Sequence, residues 1–312
     1  MPEYVNLARA ASRPRTTSRV PELPDVTVYV EALQARIVGQ HLLEARLTTP
    51  FLLRTVKPPL SALAGTRVTG VSRMAKRIVI AFDDDLRAVI HLMIAGRLHW
   101  LSPKKRVPKN IIAAFTFPNG TLTWTEAGTQ KRASLHLVRG DDALAMFVRG
   151  GLEPLECSRA QFAERARSEN HTIKRTLTDQ RMFSGIGNAY ADEILHRARV
   201  SPVKLTSRLT DEEYERLHAA TRIVLREWTD RLRAEAGDDF PEKVTAFRPE
   251  MVVHGKYNQP CPVCATKVQR IRYASNETNY CPRCQTEGRL LADRGLSKLL
   301  GKDWPKRIED LE

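Results

Sequence analysis

Ile111-Ile112-Ala113-Ala114-Phe115-Thr116-Phe117-Pro118-Asn119-Gly120-Thr121-Leu122-Thr123-Trp124-Thr125 sets two β-branched and aromatic runs on either side of Pro-Asn-Gly. That composition closes tight hairpins, so 111–117 and 122–125 read as paired strands joined at 118–120. The same texture extends in both directions. Runs at 42–47, 67–71, 77–82, 88–93 and 134–138 are short, rich in Val, Ile, Leu and Phe, and bounded by turn residues. Many short strands in succession predict a β-sandwich over 21–150, and the same pattern also describes a barrel. Ahead of them Val26, Val30, Leu33 and Ile37 recur at helical spacing behind Pro24, which predicts a helix over 26–38.

Beyond Gly150-Gly151 the period changes. Helical segments are expected at 159–167, 172–181, 188–198 and 210–235, and they make a second lobe of 151–250. Residues 251–286 hold two cysteine pairs, and 287–312 form a charged tail with an amphipathic helix at 289–300. Residues 1–20 are rich in Arg, Ser, Thr and Ala and read as a flexible extension.

Fifty Lys and Arg against thirty-six Asp and Glu leave the 312-residue chain at +14, a surplus suited to a polyanionic partner, first of all nucleic acid. No apolar run is long enough to span a bilayer and no secretory signal opens the chain, which places the protein in the cytoplasm. Cys261-Pro262-Val263-Cys264 and Cys281-Pro282-Arg283-Cys284 stand sixteen residues apart. Two such knuckles present four thiolates tetrahedrally to one zinc ion, and a redox pair would not need its matched twin. The site has no open position, so the zinc is structural. Lys267, Arg270 and Arg272 between the pairs make the hairpin cationic, and Cys157 is left as an idle thiol.

Pro21-Glu22-Leu23-Pro24-Asp25-Val26 resembles the start of the formamidopyrimidine-DNA glycosylase and endonuclease VIII family. The resemblance, which runs from Pro21 to about Gln285, implies that a terminal proline attacks the sugar of damaged DNA. The chemistry suits the residue: an α-amino group titrates near about 8, so roughly a tenth is neutral at pH 7, and a secondary amine forms a charged iminium that draws electrons from the opened sugar. Glu22 would protonate the ring oxygen, a role that requires a raised pKa. As written, however, the Pro21 nitrogen is an amide to Val20. The expectation is that translation starts at position 20, a GTG codon read as Val, and that removal of the initiator methionine exposes Pro21. Met1-Pro2-Glu3 is a decoy, since Tyr4-Val5-Asn6 does not continue the pattern.

Further positions follow from the same resemblance. Gly185-Ile186-Gly187-Asn188-Ala189-Tyr190-Ala191-Asp192-Glu193 is similar to the helix-two-turn-helix signature, in which Gly187 and Asn188 meet phosphate; Lys174 matches a phosphate-contacting lysine. Lys76 matches the lysine that reaches the lesion's phosphate and assists the chemistry. In His91-Leu92-Met93-Ile94-Ala95-Gly96, Met93 or Ile94 would fill the gap left by the extruded base, although an apolar strand end is an equal reading. Three segments depart from the pattern. Asn276 stands where an arginine clasps phosphate. The segment 126–133 lacks the phenylalanine that fills the opposite strand, and 237–244 is acidic where a loop over an oxidised purine is expected. Oxidised purines, oxidised pyrimidines, abasic sites and single strands all stay open as substrates.

The expected architecture is α+β and two-lobed: an N-terminal β-sandwich lobe, a helical helix-two-turn-helix lobe, and a C-terminal zinc ribbon. The expected activity is a monomeric DNA repair glycosylase with abasic-site lyase activity. Two rivals are a DNA-binding protein on the same scaffold whose Pro21 stays blocked, and a zinc-ribbon module for transcription or RNA.

Overall fold

A computed structural model describes residues 20–127, 131–242, 244, 248–273 and 276–311. The extension expected over 1–20 lies outside them except for Val20. Helix α1, Leu23–Ile37, starts with Pro24 in its first turn and turns Val26, Tyr29, Val30, Leu33 and Ile37 inward. The strands are β1 Glu44–Leu47, β2 Val68–Met74, β3 Arg77–Phe82, β4 Leu86–His91, β5 Gly96–Leu101, β6 Ile111–Phe117, β7 Gly120–Glu126 and β8 Ser134–Arg139. They form two four-stranded antiparallel sheets, ordered β1-β6-β7-β5 and β2-β3-β4-β8, so the sandwich expectation holds. Their inward residues and the apolar face of α1 make one core around the fully buried Trp124 and Tyr29.

The β6–β7 hairpin turns where expected, for a partly different reason. Phe117 pairs with Gly120, so Pro118 and Asn119 make the turn and Gly120 begins the strand. Gly120 has φ +158, and a Cβ there would lie 2.5 Å from the Trp100 ring. The glycine therefore serves the packing of Trp100. Strand β5 and the short helix α2, Asp141–Ala145, were not anticipated.

The helical lobe comprises α3 Arg159–Arg167, α4 Ile173–Thr178, α5 Asn188–Ala198 and α6 Asp211–Ala236 around a second core. Ser158 and Thr210 cap α3 and α6 through capping boxes with Gln161 and Glu213. The lobes exchange residues across their junction. Leu23 of α1 belongs to the helical core, while Phe240 and Val244, beyond α6, belong to the sandwich core.

The ribbon carries β9 Gln269–Arg272, β10 Glu277–Tyr280 and α7 Pro282–Thr286. The tail, including α8 Arg294–Leu300, folds back on it: Leu291 N–H donates to the Tyr280 hydroxyl at 2.7 Å, and Arg272 N–H donates to Asp293 Oδ2 at 2.6 Å. No helix among the described residues is long and apolar enough to cross a membrane.

Candidate active site and DNA-facing surface

The first turn of any helix leaves N–H groups without intrahelical partners. In α5 those groups are met by a carboxylate that is far away in sequence. Glu22, 2% exposed, accepts from Gly187 N–H at 2.7 Å, Ala189 N–H at 2.9 Å and Tyr190 N–H at 3.2 Å. Beside it, Leu23 N–H donates to Gly185 O at 2.9 Å. The start of α1 is thus pinned into the two-turn segment of the helical lobe, with the helix dipole favouring the negative charge.

Lys76 reaches the same point from the other lobe. It lies in the two-residue turn that joins β2 to β3, where Met74 pairs with Arg77 and Ala75 takes φ +53. A Cβ built on Gly187 would come to 2.5 Å from Lys76 Nζ and would overlap the Glu22 carboxyl. Burial pushes the Lys76 ammonium below its ordinary pKa, and the charges of Glu22 and Asp25 pull it partly back. Pro21 is buried next to Glu22, its nitrogen bonded to Val20 in the chain as written.

Asp25 was not singled out from the sequence, although its place three residues after Glu22 is the capping-box spacing. Its Oδ2 accepts from Glu22 N–H at 2.9 Å, and its Oδ1 has no partner among the described residues. Burial raises its pKa from 3.8 to about 7, with the Glu22 charge adding to the rise. The raised value fixes the sign of a stability effect. Below pH 3.8 the carboxyl is protonated in both folded and unfolded chains; as pH climbs toward about 7 only the unfolded chain ionises, so stability falls. Asp25→Asn keeps an acceptor for Glu22 N–H and removes the titration. Between pH 5 and pH 8 the wild type is expected to lose about 2 to 3 kcal/mol more unfolding free energy than the variant. Urea unfolding of both proteins at the two pH values checks this, and equal losses would contradict it.

The other site residues fall in three places. Met93 and Ile94 form the turn between β4 and β5, half-buried, with Met93 at φ +55, a left-handed conformation unusual for its side chain. Gly96 closes that turn; a Cβ there would clash with Leu92 O and lie 2.9 Å from Trp124 Nε1. Asn276 is exposed at the ribbon hairpin tip, where it and Tyr273 exchange backbone hydrogen bonds of 2.8 and 3.2 Å.

Lys174 and Asn188 face the ribbon. Lys174 Nζ, 8% exposed, sits 2.6 Å from Asp192 Oδ1 and donates to Thr278 Oγ1 at 2.9 Å; Asn188 Nδ2 donates to Glu277 O at 3.0 Å. Asp192, fully buried, also lies 2.8 Å from His254 Nδ1, while Glu193 accepts from the N–H groups of Val252, Val253 and His254. These two acids, set among apolar neighbours on α5, lock the ribbon to the helical lobe. The sequence signal for that role is a pair of adjacent acids between Ala191 and Ile194 on α5.

The thiols of the ribbon converge. Cys264 Sγ lies 3.3 Å from Cys281 Sγ and 3.5 Å from Cys284 Sγ, and Cys261 Sγ lies 4.0 Å from Cys284 Sγ. Four thiolates at about 2.3 Å from one zinc stand roughly 3.8 Å apart, so the cluster fits a closed structural zinc site. His196 Nε2 lies 3.4 Å from Cys261 Sγ, the position of a ring nitrogen that orients a ligand thiolate. Cys157 is buried apart from them in the helical core.

Of the segments that depart from the family pattern, residues 128–130 and 243 lie outside the described residues. Glu126 accepts from Arg132 and Ala133 N–H at 2.8 and 3.0 Å. A cavity of about 400 Å³ opens beside Asp25, lined also by Val28, Leu232, Phe240, Glu242 and Arg248.

Residues 20–132 match the model of the formamidopyrimidine-DNA glycosylase N-terminal domain, 151–232 that of its H2TH domain, and 258–286 that of the zinc finger found in FPG and IleRS. A formamidopyrimidine-DNA glycosylase of Heliobacterium modesticaldum is 32% identical over 278 residues, which cover 85% of this chain and 100% of that one. The chain belongs to the formamidopyrimidine-DNA glycosylase family. The relative from Chloroflexus aggregans is 30% identical, with 85% and 98% covered. Among solved structures, the Lactococcus lactis family member bound to abasic-site DNA superposes with a TM-score of 0.75 at 27% identity, over 85% of this chain and 99% of that one. The Lactococcus protein with DNA containing an oxidised pyrimidine gives 0.76 at 28% identity, with 85% and 100% covered. Within the formamidopyrimidine-DNA glycosylase family, the fold, the helix-two-turn-helix segment and the zinc ribbon of this chain are all accounted for.

Proposed function

We propose that the protein is a base-excision repair glycosylase that acts as a monomer on damaged DNA and also cleaves the strand at the resulting abasic site. One observation carries this reading: the Glu22 carboxylate, clamped by the first turn of α5, meets Lys76 beside Pro21 where the two lobes join. Family membership and the DNA-bound structural relatives support it.

In this reading the nucleophile is the Pro21 nitrogen on a chain freed of residues 1–20. The nitrogen lone pair bonds to C1′ as the glycosidic bond breaks, and the departing base takes up a proton from solvent. The Glu22 carboxylate takes the proton from the ammonium so formed and passes it to the sugar ring oxygen, and the ring opens to an iminium on Pro21. The iminium withdraws electrons, so a C2′ proton is lost and the 3′ phosphate leaves; the 5′ phosphate leaves in a second elimination, and water hydrolyses the remaining iminium. Lys76 binds the lesion's phosphate, and Met93 or Ile94 fills the space of the extruded base. Asn188, Gly187, Lys174 and Asn276 form the remaining DNA-facing set, with Cys261, Cys264, Cys281 and Cys284 on zinc.

End-labelled duplexes, each with one oxidised purine, oxidised pyrimidine or abasic site, test the reading. The protein begun at Pro21 is expected to cut at the lesion and leave phosphate on both ends of a one-nucleotide gap. Intact strands with every lesion would overturn it and leave the DNA-binding rival.

A further inference from the structure

Two of the places where the helical lobe and ribbon would meet phosphate offer little free charge. Lys174 is buried against Asp192, and the hairpin tip presents Asn276 with Glu277 as its neighbour. On the sandwich lobe, cationic side chains border a small apolar cluster of Val79, Val89 and Val138 that Leu144 and Phe147 cover. In the register of β3, β4 and β8, Val79 pairs with Val89 and Val89 with His136, which places Arg77, one step from the Ile78–Ile90 pair, and His91 on that same face. Phe147, following α2, covers part of it: Arg77 Nη1 donates to Phe147 O at 3.3 Å, and the His136 ring stands edge-on to Phe147 at 4.9 Å.

Arg54 joins the edge, its N–H donating to Leu135 O of β8 at 2.8 Å, and the exposed Arg149 follows two residues after Phe147. The charges acting on His91 are those of Arg77, Lys76, His136 and Arg149; those on His136 are Arg77 and Arg54; that on Arg77 is Arg149. The largest of them include no carboxylate. Burial and these cations hold His91 down at about 4, so near pH 7 the positive charge of the face resides in arginines. Arg54, Arg77 and Arg149 form no ion pair among the described residues, whereas Arg87, Arg181, Arg197 and Arg233 each have a carboxylate partner.

Uncompensated arginines are costly to hold together, and what neutralises such a set in planar, bidentate fashion is phosphate. The face is continuous with the reaction centre, because Arg77 follows Lys76 in the chain. We propose that Arg54, Arg77 and Arg149 form a phosphate track on the sandwich lobe that carries the DNA backbone away from the reaction centre, adding to the grip of Lys174, which shares its charge with Asp192, and of the neutral Asn276. The proposal rests on the reading of the protein as a DNA-acting enzyme.

Equilibrium binding of the full chain to a duplex with one uncleavable abasic analogue, and to the same duplex undamaged, tests it across 50 to 200 mM salt. Each lost phosphate contact lowers the slope of log affinity against log salt by about 0.9. Arg54 and Arg149 are both exposed, so R54Q/R149Q leaves the core untouched. Its slope is expected to fall by about 1.8, which means that wild-type binding weakens roughly twelvefold more than variant binding over that range. R77Q, folded by its melting curve, is expected to lose about 0.9. Wild-type slopes in the double variant on both duplexes would overturn the track. A wild type that binds both duplexes equally would instead count against the lesion-directed function, while the slope comparison would still decide the track.

Discussion

Glu22→Gln, in protein begun at Pro21, is expected to lower base excision by roughly two to four orders of magnitude. The substitution removes the carboxylate that carries a proton from the amine to the sugar ring oxygen. It also reverses hydrogen-bond polarity at the helix terminus, where both carboxylate oxygens now accept: Oε2 from Gly187 and Tyr190, Oε1 from Ala189. An amide NH2 in either position faces an N–H, which costs about 1 to 3 kcal/mol in a buried site. The melting temperature should therefore drop along with the rate. Single-turnover excision and thermal unfolding measured on one preparation check both effects. An excision rate within threefold of wild type would remove Glu22 from proton transfer.

Gly187→Ala is the second large effect, at roughly a hundredfold loss of excision. The backbone does not forbid it, since φ at Gly187 is −129, ordinary extended geometry. What forbids it is space. A Cβ would intrude on the Glu22 carboxyl and lie 2.5 Å from Lys76 Nζ, so the acid and the lysine must separate, and small misplacements of reacting groups are costly. Gly70→Ala serves as the comparison: nothing lies within 4 Å of its Cβ position, and excision is expected to stay unchanged. Equal rates for the two variants would show that the centre tolerates the methyl group and that the packing at Gly187 does not set its geometry.

The sandwich, the second lobe and the ribbon were legible because their periods and punctuation are local. β3 and β6 begin and end where their apolar runs do, and α3 and α5 lie where apolar spacing and capping residues place them. Strand β5 was hidden because Gly96, Arg97 and His99 interrupt its apolar residues, and Gly96 is needed for the tight turn after Met93. Helix α2 buries no residue, so no periodic face announces it.

The site was legible as residue types and much less as contacts. Pro21-Glu22, Lys76 and Gly187 could be named from their motifs, but that Glu22 is clamped by α5 depends on a contact spanning 165 residues. Lys174 shows the limit most clearly. Its sequence setting implies a phosphate ligand but does not announce its protein partner: Asp192, eighteen positions on, lies 2.6 Å away in a buried pair that ties the ribbon to the helical lobe. Only the tertiary fold brings those two side chains together. Phe240 is similar: it stands in an acidic segment after α6 yet reaches the sandwich core, with its ring 5.7 Å from that of Tyr29.

The central claim is that the reaction runs through the amine of Pro21. Borohydride added during incubation with abasic-site DNA reduces an iminium to a stable amine and leaves protein and DNA covalently joined. The chain begun at Pro21 should give a trapped band, and the chain that retains residues 1–20 should give none. No band from the chain begun at Pro21, or equal bands from both, would contradict the account.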